Sequence, residues 1–190
     1  RWWTPWNTSS LEMPAGNPSA VKSRPRIGIF DSGVGGLTVA KAVHASCPGA
    51  DILYFGDTAR VPYGTKSRPT IRRYTGQILN FLLGKKVDLI VAACNTASAL
   101  GVPSFRACFP VPLVDVIGPA CRALTDRLPR GKVAVLATRS TVRSGAYSSQ
   151  ICCLSRTLKV REIACPLLVP LVEEGLVQPE PPATYRADSQ

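Results

Sequence analysis

The sequence lacks any apolar run long enough to cross a bilayer. Its longest uncharged apolar stretch, around residues 89–93, is far shorter than the roughly 18 residues that a membrane-spanning helix needs. The beginning of the sequence also lacks the apolar core of a signal peptide. We therefore expect a soluble, cytoplasmic protein with no membrane partner.

Histidine is almost absent, since His44 is the only one among the 190 residues, and no two of the seven cysteines are spaced as CxxC. A zinc site built from cysteine and histidine has few available ligands, so we expect no metal. The cysteines are odd in number and irregularly spaced, and no secretory signal precedes them. We therefore expect free thiols and no disulfide framework.

Acidic residues are scarce, with 12 against 23 lysines and arginines, which gives a net charge of +11. Such an excess fits a nucleic-acid partner, an anionic substrate or a basic surface. The basic residues occur singly or in pairs, without interleaved aromatic residues and without a zinc-finger or RNP pattern. We therefore expect no nucleic-acid partner. A hydrophobic content of 45% is enough for a globular core.

The two ends of the sequence lack apolar periodicity. Residues 1–25 contain four prolines and three tryptophans, and residues 178–190 begin with QPEPP. We expect a disordered extension or leader over 1–25 and an unstructured tail over 178–190.

Between these ends, short apolar runs alternate with helix-like segments. The predicted strands are 27–30, 52–55, 87–93, 113–116 and 133–137, and the predicted helices are 37–45, 70–83, 97–107, 119–128 and 144–154. Alternating strands and helices joined by short loops predict an α/β fold, with a mainly parallel sheet and helices on its faces.

Ligands of such sheets bind beyond the carboxyl ends of the strands. The residues that follow the predicted strands are Asp31, Ser32 and Gly33; Gly56, Asp57 and Thr58; Cys94, Asn95 and Thr96; and Thr138, Arg139, Ser140 and Thr141. We expect a carboxylate, a thiol and several short polar side chains to meet in one crevice.

The segment FDSGVGG places glycines 33, 35 and 36 between a strand and a helix. Its backbone amides could hold an anion at the start of the helix, and Asp57 falls where a dinucleotide fold has its ribose-binding acid. The pattern is GxGG and not GxGxxG, however, which favours a tight turn with positive φ over nucleotide binding. Asp31, at the end of the preceding strand, fits a helix cap and a carboxylate that orients a neighbouring acid or base equally well.

In VDLIVAACNTASA, an apolar strand delivers Cys94 to the start of a helix. A helix N-terminus lowers the pKa of a thiol, so Cys94 could ionise near neutral pH, whereas most cysteines are buried packing residues. The two interpretations carry equal weight on this basis, and the other six cysteines are interpreted as packing residues. Tyr63 and Gly64, after Pro62, could extend a phenol and an amide over the crevice or form an ordinary proline turn.

Four segments together resemble glutamate racemases of the aspartate/glutamate racemase superfamily, in order and in spacing. They are IGIFDSGVGGLTV, YFGDTARVPYGTKS, VAACNTASA and ATRSTVRSGAY, and the resemblance extends from about Arg26 to Val177. It implies two similar α/β domains, a first over 26–118 and a partial second over 119–177.

The resemblance also implies an activity, the interconversion of L- and D-glutamate for peptidoglycan synthesis, with no pyridoxal phosphate or other cofactor. By resemblance, Cys94 removes the α-proton of one enantiomer and Asp31 supports that thiol. The residues implied to bind the substrate are Ser32, Pro62, Tyr63, Gly64, Asn95, Thr96, Thr138 and Thr141. Glu173 matches a carboxylate near the opposite catalytic face, and a homodimer is possible.

The sequence departs from the family pattern in one respect. The family carries a second thiol in a Gly-Cys-Thr-His segment, which is missing here, and Cys165 is no substitute because it matches another position. We therefore expect an incomplete copy that exposes apolar surface and does not complete racemisation. The alternatives are a nucleotide-binding α/β module and a non-catalytic dicarboxylate-binding remnant.

Overall fold

The computed structural model of the protein describes residues 24–176. Four parallel strands form its larger sheet, in the order β2-β1-β3-β4. The strands are β1 (Arg26–Asp31), β2 (Asp51–Gly56), β3 (Leu89–Ala92) and β4 (Leu113–Asp115). The predicted tail over 178–190 and nearly all of the predicted leader lie outside the described residues.

The two central strands are apolar on both faces. Ile29 and Phe30 of β1 and Ile90 and Ala92 of β3 are fully buried. Strands covered by helices on both sides need such continuous apolar runs, and the register pairs Phe30 with Ala92. Because the strands are parallel, Asp31 and the residues after Ala92 come to the same edge of the sheet.

Seven helices accompany the strands in the described part of the chain. They are α1 (Leu37–Ser46), α2 (Arg68–Gly84), α3 (Asn95–Leu100), α4 (Ile117–Arg127), α5 (Arg139–Ser144), α6 (Ala146–Leu154) and α7 (Leu168–Glu173). Short 3-10 turns occupy Thr58–Arg60, Tyr63–Thr65 and Val102–Ser104. The longest helix, α2, begins at a Ser67 cap and buries Ile71, Ile78 and Leu82 along one face, which fixes it against the sheet.

A second, smaller sheet pairs β5 (Gly131–Ala137) with β6 (Leu158–Ala164) in parallel. Ile117, Cys121, Ile151 and Leu158 belong to the same hydrophobic cluster as Phe30 and the apolar face of α2. One core therefore extends under both sheets. The domain boundary predicted between 118 and 119 stays a prediction.

The predicted fold class, a mainly parallel sheet with flanking helices, is confirmed. The helix predicted over 97–107 is wrong beyond Leu100, because Pro103 disfavours helical backbone at the preceding Val102, and a 3-10 turn follows. Cys108 consequently lies on no helix.

The helix predicted over 144–154 begins only at Ala146. Gly145 adopts a left-handed conformation with φ of +63°, which separates α6 from the unpredicted helix α5. Strand β6 was not among the predicted strands, because Lys159, Arg161 and Glu162 interrupt its apolar pattern.

Several large apolar side chains on the second sheet and on α7 are exposed. The most exposed are Leu136, Leu167 and Leu176, at 59%, 70% and 68%. The apolar surface expected from the sequence is therefore present in the described part of the chain. Between residues 24 and 176, no helix is both long enough and apolar enough to cross a membrane.

Candidate active site

The carboxyl ends of β1 and β3 bring a thiol and a hydroxyl together. The amide of Ala93 donates to the carbonyl of Phe30 at 2.8 Å, which aligns the residues that follow each strand. As a result, Sγ of Cys94 lies 3.6 Å from Oγ of Ser32. Both side chains are buried.

Cys94 occupies the cap position of α3, where its sulfur accepts a hydrogen bond from the amide of Ala97 at 3.5 Å. Burial, and then the negative charge of Asp31, raise the pKa of the Cys94 thiol to about 11. The hydrogen bonds from Ala97 and Ser32 act in the opposite direction and are outweighed. The burial expected of a packing cysteine is therefore observed, and its effect on the pKa outweighs that of the helix start.

Asp31 does not cap α1, which begins after Gly36 without a side-chain cap, but its carboxylate binds the loop before that helix. Its Oδ2 accepts hydrogen bonds from the amides of Gly36 at 2.9 Å and Gly33 at 3.3 Å, which anchors the loop that leads into α1. The same carboxylate is close enough to Cys94 to influence its ionisation. Asp31 thus holds the loop in place through hydrogen bonds and also brings a negative charge close to Cys94.

Glu173 reaches the same loop from α7. Its carboxylate oxygens accept from the amide of Val34 at 3.0 and 3.2 Å. Gly33 lies next to the Glu173 carboxylate. A Cβ added to Gly33 would fall 2.0 Å from Oε1 of Glu173, so a side chain at this position does not fit. None of the three loop glycines has positive φ, so that part of the expectation is wrong, although a tight turn does form, with the amide of Leu37 donating to the carbonyl of Val34 at 3.0 Å.

Asp57 is also engaged within the chain. It is buried, pairs with Nε of Arg60 at 2.8 Å and accepts a short hydrogen bond from the hydroxyl of Tyr63. Burial and then the bond to Asp57 raise the pKa of Tyr63. Asp57, the acid that a nucleotide site would use to bind ribose, is therefore already bound to Arg60 and Tyr63. The backbone amides of the loop after β1 bind carboxylates of the chain itself.

Tyr63 and Gly64 form a turn that faces the second sheet. Pro62 precedes it through a cis peptide bond with Val61, and Tyr63 is buried. A Cβ on Gly64 would lie 2.4 Å from Cβ of Thr138, so this turn packs directly against the start of α5. The structure thereby brings Tyr63 and Gly64, from the segment YFGDTARVPYGTKS, next to Thr138, from the segment ATRSTVRSGAY.

Three threonine hydroxyls meet where the two sheets adjoin. Oγ1 of Thr96 lies 3.1 Å from that of Thr138 and 3.2 Å from that of Thr141, and the latter two lie 3.0 Å apart. Thr138 caps α5, as its side chain accepts from the amide of Thr141. We call these three side chains the threonine cluster. They come from segments more than 40 residues apart.

Asn95 is the most exposed of the polar residues after β3, and its Oδ1 accepts a short hydrogen bond from the hydroxyl of Tyr147. Tyr147 was not singled out in the sequence, because an aromatic residue within a helix gives no sign of a polar partner 52 positions away.

Tyr54 was missed as well. Its hydroxyl donates to the carbonyl of Gly33 at 2.8 Å. Burial raises its pKa, followed by the charges of Asp31 and Glu173. The sequence signal for Tyr54 is the presence of a tyrosine within an otherwise apolar strand. The structure pairs this residue in register with Ile29.

The remaining six cysteines differ in exposure, and Cys165 is half-buried. Cys121 is buried in the core, as expected of a packing residue, whereas Cys47, Cys108, Cys152 and Cys153 are exposed, so the packing interpretation is wrong for these four. All seven are free thiols. In the part of the chain that is described, no group of three or more His, Cys, Asp or Glu side chains could hold a metal ion.

The crevice thus combines one buried thiol, a nearby carboxylate and a set of hydroxyl and amide groups. A thiolate at this point can accept a proton, and the donors can stabilise negative charge on an oxyanion. Such an arrangement suits proton transfer at a carbon next to a carboxylate.

The sequence matches the Asp/Glu/Hydantoin racemase family over residues 37–182. Glutamate racemase from Aquifex aeolicus is 47% identical over 158 residues, which are 83% of this chain and 61% of that protein. Glutamate racemase from Geobacter metallireducens is 48% identical over 149 residues, 78% of this chain and 55% of that protein. The chain therefore spans little more than half the length of these relatives.

Solved structures give the same result. A glutamate racemase isoform from Bacillus anthracis superimposes with a TM-score of 0.77 and 36% identity, covering 80% of this chain and 57% of that one. Glutamate racemase from Francisella tularensis, solved in complex with D-glutamate, gives 0.74 and 40%, with 83% and 59% covered.

Proposed function

We propose that this chain, which belongs to the Asp/Glu/Hydantoin racemase family, binds glutamate in its crevice and moves a proton at the α-carbon through Cys94. The observation that carries the proposal is the buried Cys94 thiol at the end of β3, 3.6 Å from Ser32 and under the charge of Asp31. The glutamate racemases that the chain resembles support the choice of substrate.

In this mechanism the Cys94 thiolate takes the α-proton from one enantiomer and becomes a thiol. The electron pair of the broken C–H bond passes into the adjacent carboxylate, where hydrogen-bond donors stabilise it. Return of the proton from Cys94 to the same face regenerates the starting enantiomer. Delivery from the opposite face gives the other enantiomer, so inversion needs a second acid/base group there.

The raised pKa of Cys94 has two consequences. With its pKa raised to about 11, the thiol is almost entirely protonated at pH 7. The thiolate that does form is a correspondingly stronger base, which suits a weakly acidic C–H bond. The ammonium group of glutamate brings a positive charge into the crevice and favours the thiolate, so substrate binding itself activates Cys94.

The polar groups around the thiol have complementary roles in the proposal. In the proposal Asp31 brings a negative charge to Cys94, and Glu173, which binds the amide of Val34 in the same loop, supplies a second carboxylate near the reacting carbon. The residues that we propose hold the carboxylates and the ammonium group of glutamate are Ser32, Pro62, Tyr63, Gly64, Asn95, Thr96, Thr138 and Thr141. The basic character of the protein, +11 overall, favours a dicarboxylate ligand.

The 190 residues contain no Gly-Cys-Thr-His segment for the second thiol. We therefore expect this chain to exchange the α-hydrogen of one glutamate enantiomer with solvent and to invert it poorly or not at all. The proposed biological role is the supply of D-glutamate for peptidoglycan in the cytoplasm, without pyridoxal phosphate and with a homodimer as the expected assembly. Gel filtration with light scattering measures the assembly.

The experiment is incubation of the chain with D- and L-glutamate separately in deuterated water, followed by mass spectrometry and chiral chromatography. Deuterium should enter the α-position of one enantiomer, and Cys94→Ser should abolish the exchange. Cys121→Ser is the matched control, because Cys121 is the other buried cysteine and lies on the buried face of α4. Exchange that survives Cys94→Ser contradicts the proposal. Glutamate binding without exchange indicates a non-catalytic dicarboxylate-binding protein.

A further inference from the structure

Ser140 joins the two sides of the crevice. It is 3% exposed, and its hydroxyl donates to the carbonyl of Gly64 at 2.8 Å and of Lys66 at 3.1 Å. These carbonyls precede Ser140 by 76 and 74 residues and belong to the turn after β2. A serine hydroxyl has one proton, so the two carbonyls share it and the shorter bond, to Gly64, is the stronger.

The start of α5 therefore holds the turn at two points. Thr138 packs against Gly64, where a Cβ would lie 2.4 Å away, and Ser140 binds the carbonyl of the same residue. The packing contact prevents the turn from moving closer to α5. The hydrogen bond prevents it from moving away.

The same first turn of α5 also carries part of the threonine cluster. Thr138 and Thr141 flank Ser140 in the sequence, and their hydroxyls meet that of Thr96. Because Ser140 fixes the Tyr63–Gly64 turn to this helix, it also fixes that turn in position against the threonine cluster, whose Thr138 contacts Gly64.

We propose that Ser140 is a positioning residue that sets the length of the dicarboxylate that the crevice accepts. This inference rests on the proposed function, in which the Tyr63–Gly64 turn and the threonine cluster both hold glutamate. Glutamate and aspartate differ by one methylene. A set of polar groups held rigidly in place leaves some of them unpaired when the shorter ligand binds, and such groups carry a large penalty.

Ser144 provides a matched control on the same helix. Its hydroxyl donates to the carbonyl of Thr141 at 2.5 Å, a bond within α5 that does not reach the turn. Removal of either hydroxyl deletes one serine oxygen from α5, but only Ser140→Ala releases the turn.

The test is isothermal titration calorimetry of the full chain with D-glutamate, L-glutamate and D-aspartate. Loss of one buried hydrogen bond should weaken glutamate binding in Ser140→Ala and reduce the ratio of glutamate to aspartate affinity about fivefold. Ser140→Thr retains the hydroxyl and should retain the ratio. Ser144→Ala should match the wild type in both affinities.

The outcomes separate this inference from the proposed function. An unchanged ratio in folded Ser140→Ala overturns the role of Ser140 alone, whereas a wild-type chain that binds neither glutamate enantiomer overturns the proposed function and this inference with it. If circular dichroism shows that Ser140→Ala does not fold, Ser140→Cys replaces it, because a thiol fills the site but is a weak donor. A wild-type ratio in Ser140→Cys also overturns the inference.

Discussion

The thiol of Cys94 and the hydroxyl of Ser32 lie 3.6 Å apart, although 62 residues separate them in the sequence. Their contact depends on the parallel pairing of β1 with β3, which ends both strands at the same edge. Around this pair the charge of Asp31 and the depth of burial decide how readily the thiol ionises. These two influences can be separated by substitution.

Asp31→Asn should lower the pKa of Cys94, because the substitution removes the negative charge that opposes ionisation. The rate of Cys94 alkylation by iodoacetamide at pH 8, followed by peptide mass spectrometry, should rise roughly threefold or more, since alkylation requires the thiolate. Cys121 is the internal control: its pKa is also raised to about 11, but the charges acting on it are those of Arg122 and Glu162. An equal rise at both cysteines would indicate general loosening of the fold instead.

The stability of the protein should fall at alkaline pH. Burial first raises the pKa of both Cys94 and Cys121 from 9.0 to about 11, so the unfolded chain loses these protons at lower pH than the folded chain. The corresponding stabilisation is complete below pH 9 and is lost as the pH rises from about 9 to about 11.

Urea unfolding at pH 8 and at pH 10.5 measures this loss. For Cys94 it should be on the order of 2 kcal/mol, because each pKa unit corresponds to about 1.4 kcal/mol. Cys94→Ala should reduce the dependence and leave the part that is due to Cys121, whereas Cys47→Ala, at an exposed site, should leave it unchanged. A wild-type stability that is constant between these pH values contradicts the prediction.

Gly64→Ala should disturb the contact between the Tyr63–Gly64 turn and α5. The added Cβ would lie 2.4 Å from Cβ of Thr138, so one segment must shift, at a cost of about 1–3 kcal/mol in the free energy of unfolding. Glutamate affinity should fall at the same time. Gly49→Ala is the control, since a Cβ there meets no atom within 4 Å, and it should change stability by less than about 0.5 kcal/mol.

Glu173→Ala should release the loop after β1 from α7. The amide of Val34 then loses its carboxylate acceptor, and hydrogen exchange at this amide should accelerate about fivefold, as expected for one lost hydrogen bond. The pKa of Tyr54 should also fall, because the charge of Glu173 contributes to raising it. Glu174→Ala, at the exposed neighbouring position, should change neither quantity.

The sequence predicts the large sheet well, because central strands such as β1 and β3 are continuous apolar runs between turn residues. Their ends then indicate where Cys94 and Asp31 lie. Strand β6 is hidden because its charged residues resemble a surface segment. Helix α5 is hidden because its six residues are too few to show a periodicity.

The interactions that set the chemistry are harder to predict. The sequence indicates a helix start at Cys94 but not its depth of burial, and burial decides the direction of the pKa shift. The bond from Ser140 to Gly64 joins residues 76 positions apart through a loop carbonyl, which no local pattern reveals. The sequence leaves open whether Tyr63 extends its phenol over the crevice or belongs to an ordinary proline turn, and only the fold shows that its hydroxyl donates to Asp57.

Helix α3 is buried from Thr96 to Leu100, directly after the thiol that caps it. Residues of this helix belong to the hydrophobic core as well as to the crevice, so substitutions in it carry a penalty in stability whatever they do to the ligand. Evolutionary change in ligand preference is therefore expected to fall on the flanking walls. Because those walls touch at Gly64 and Thr138, the two positions should vary together among homologues and seldom alone.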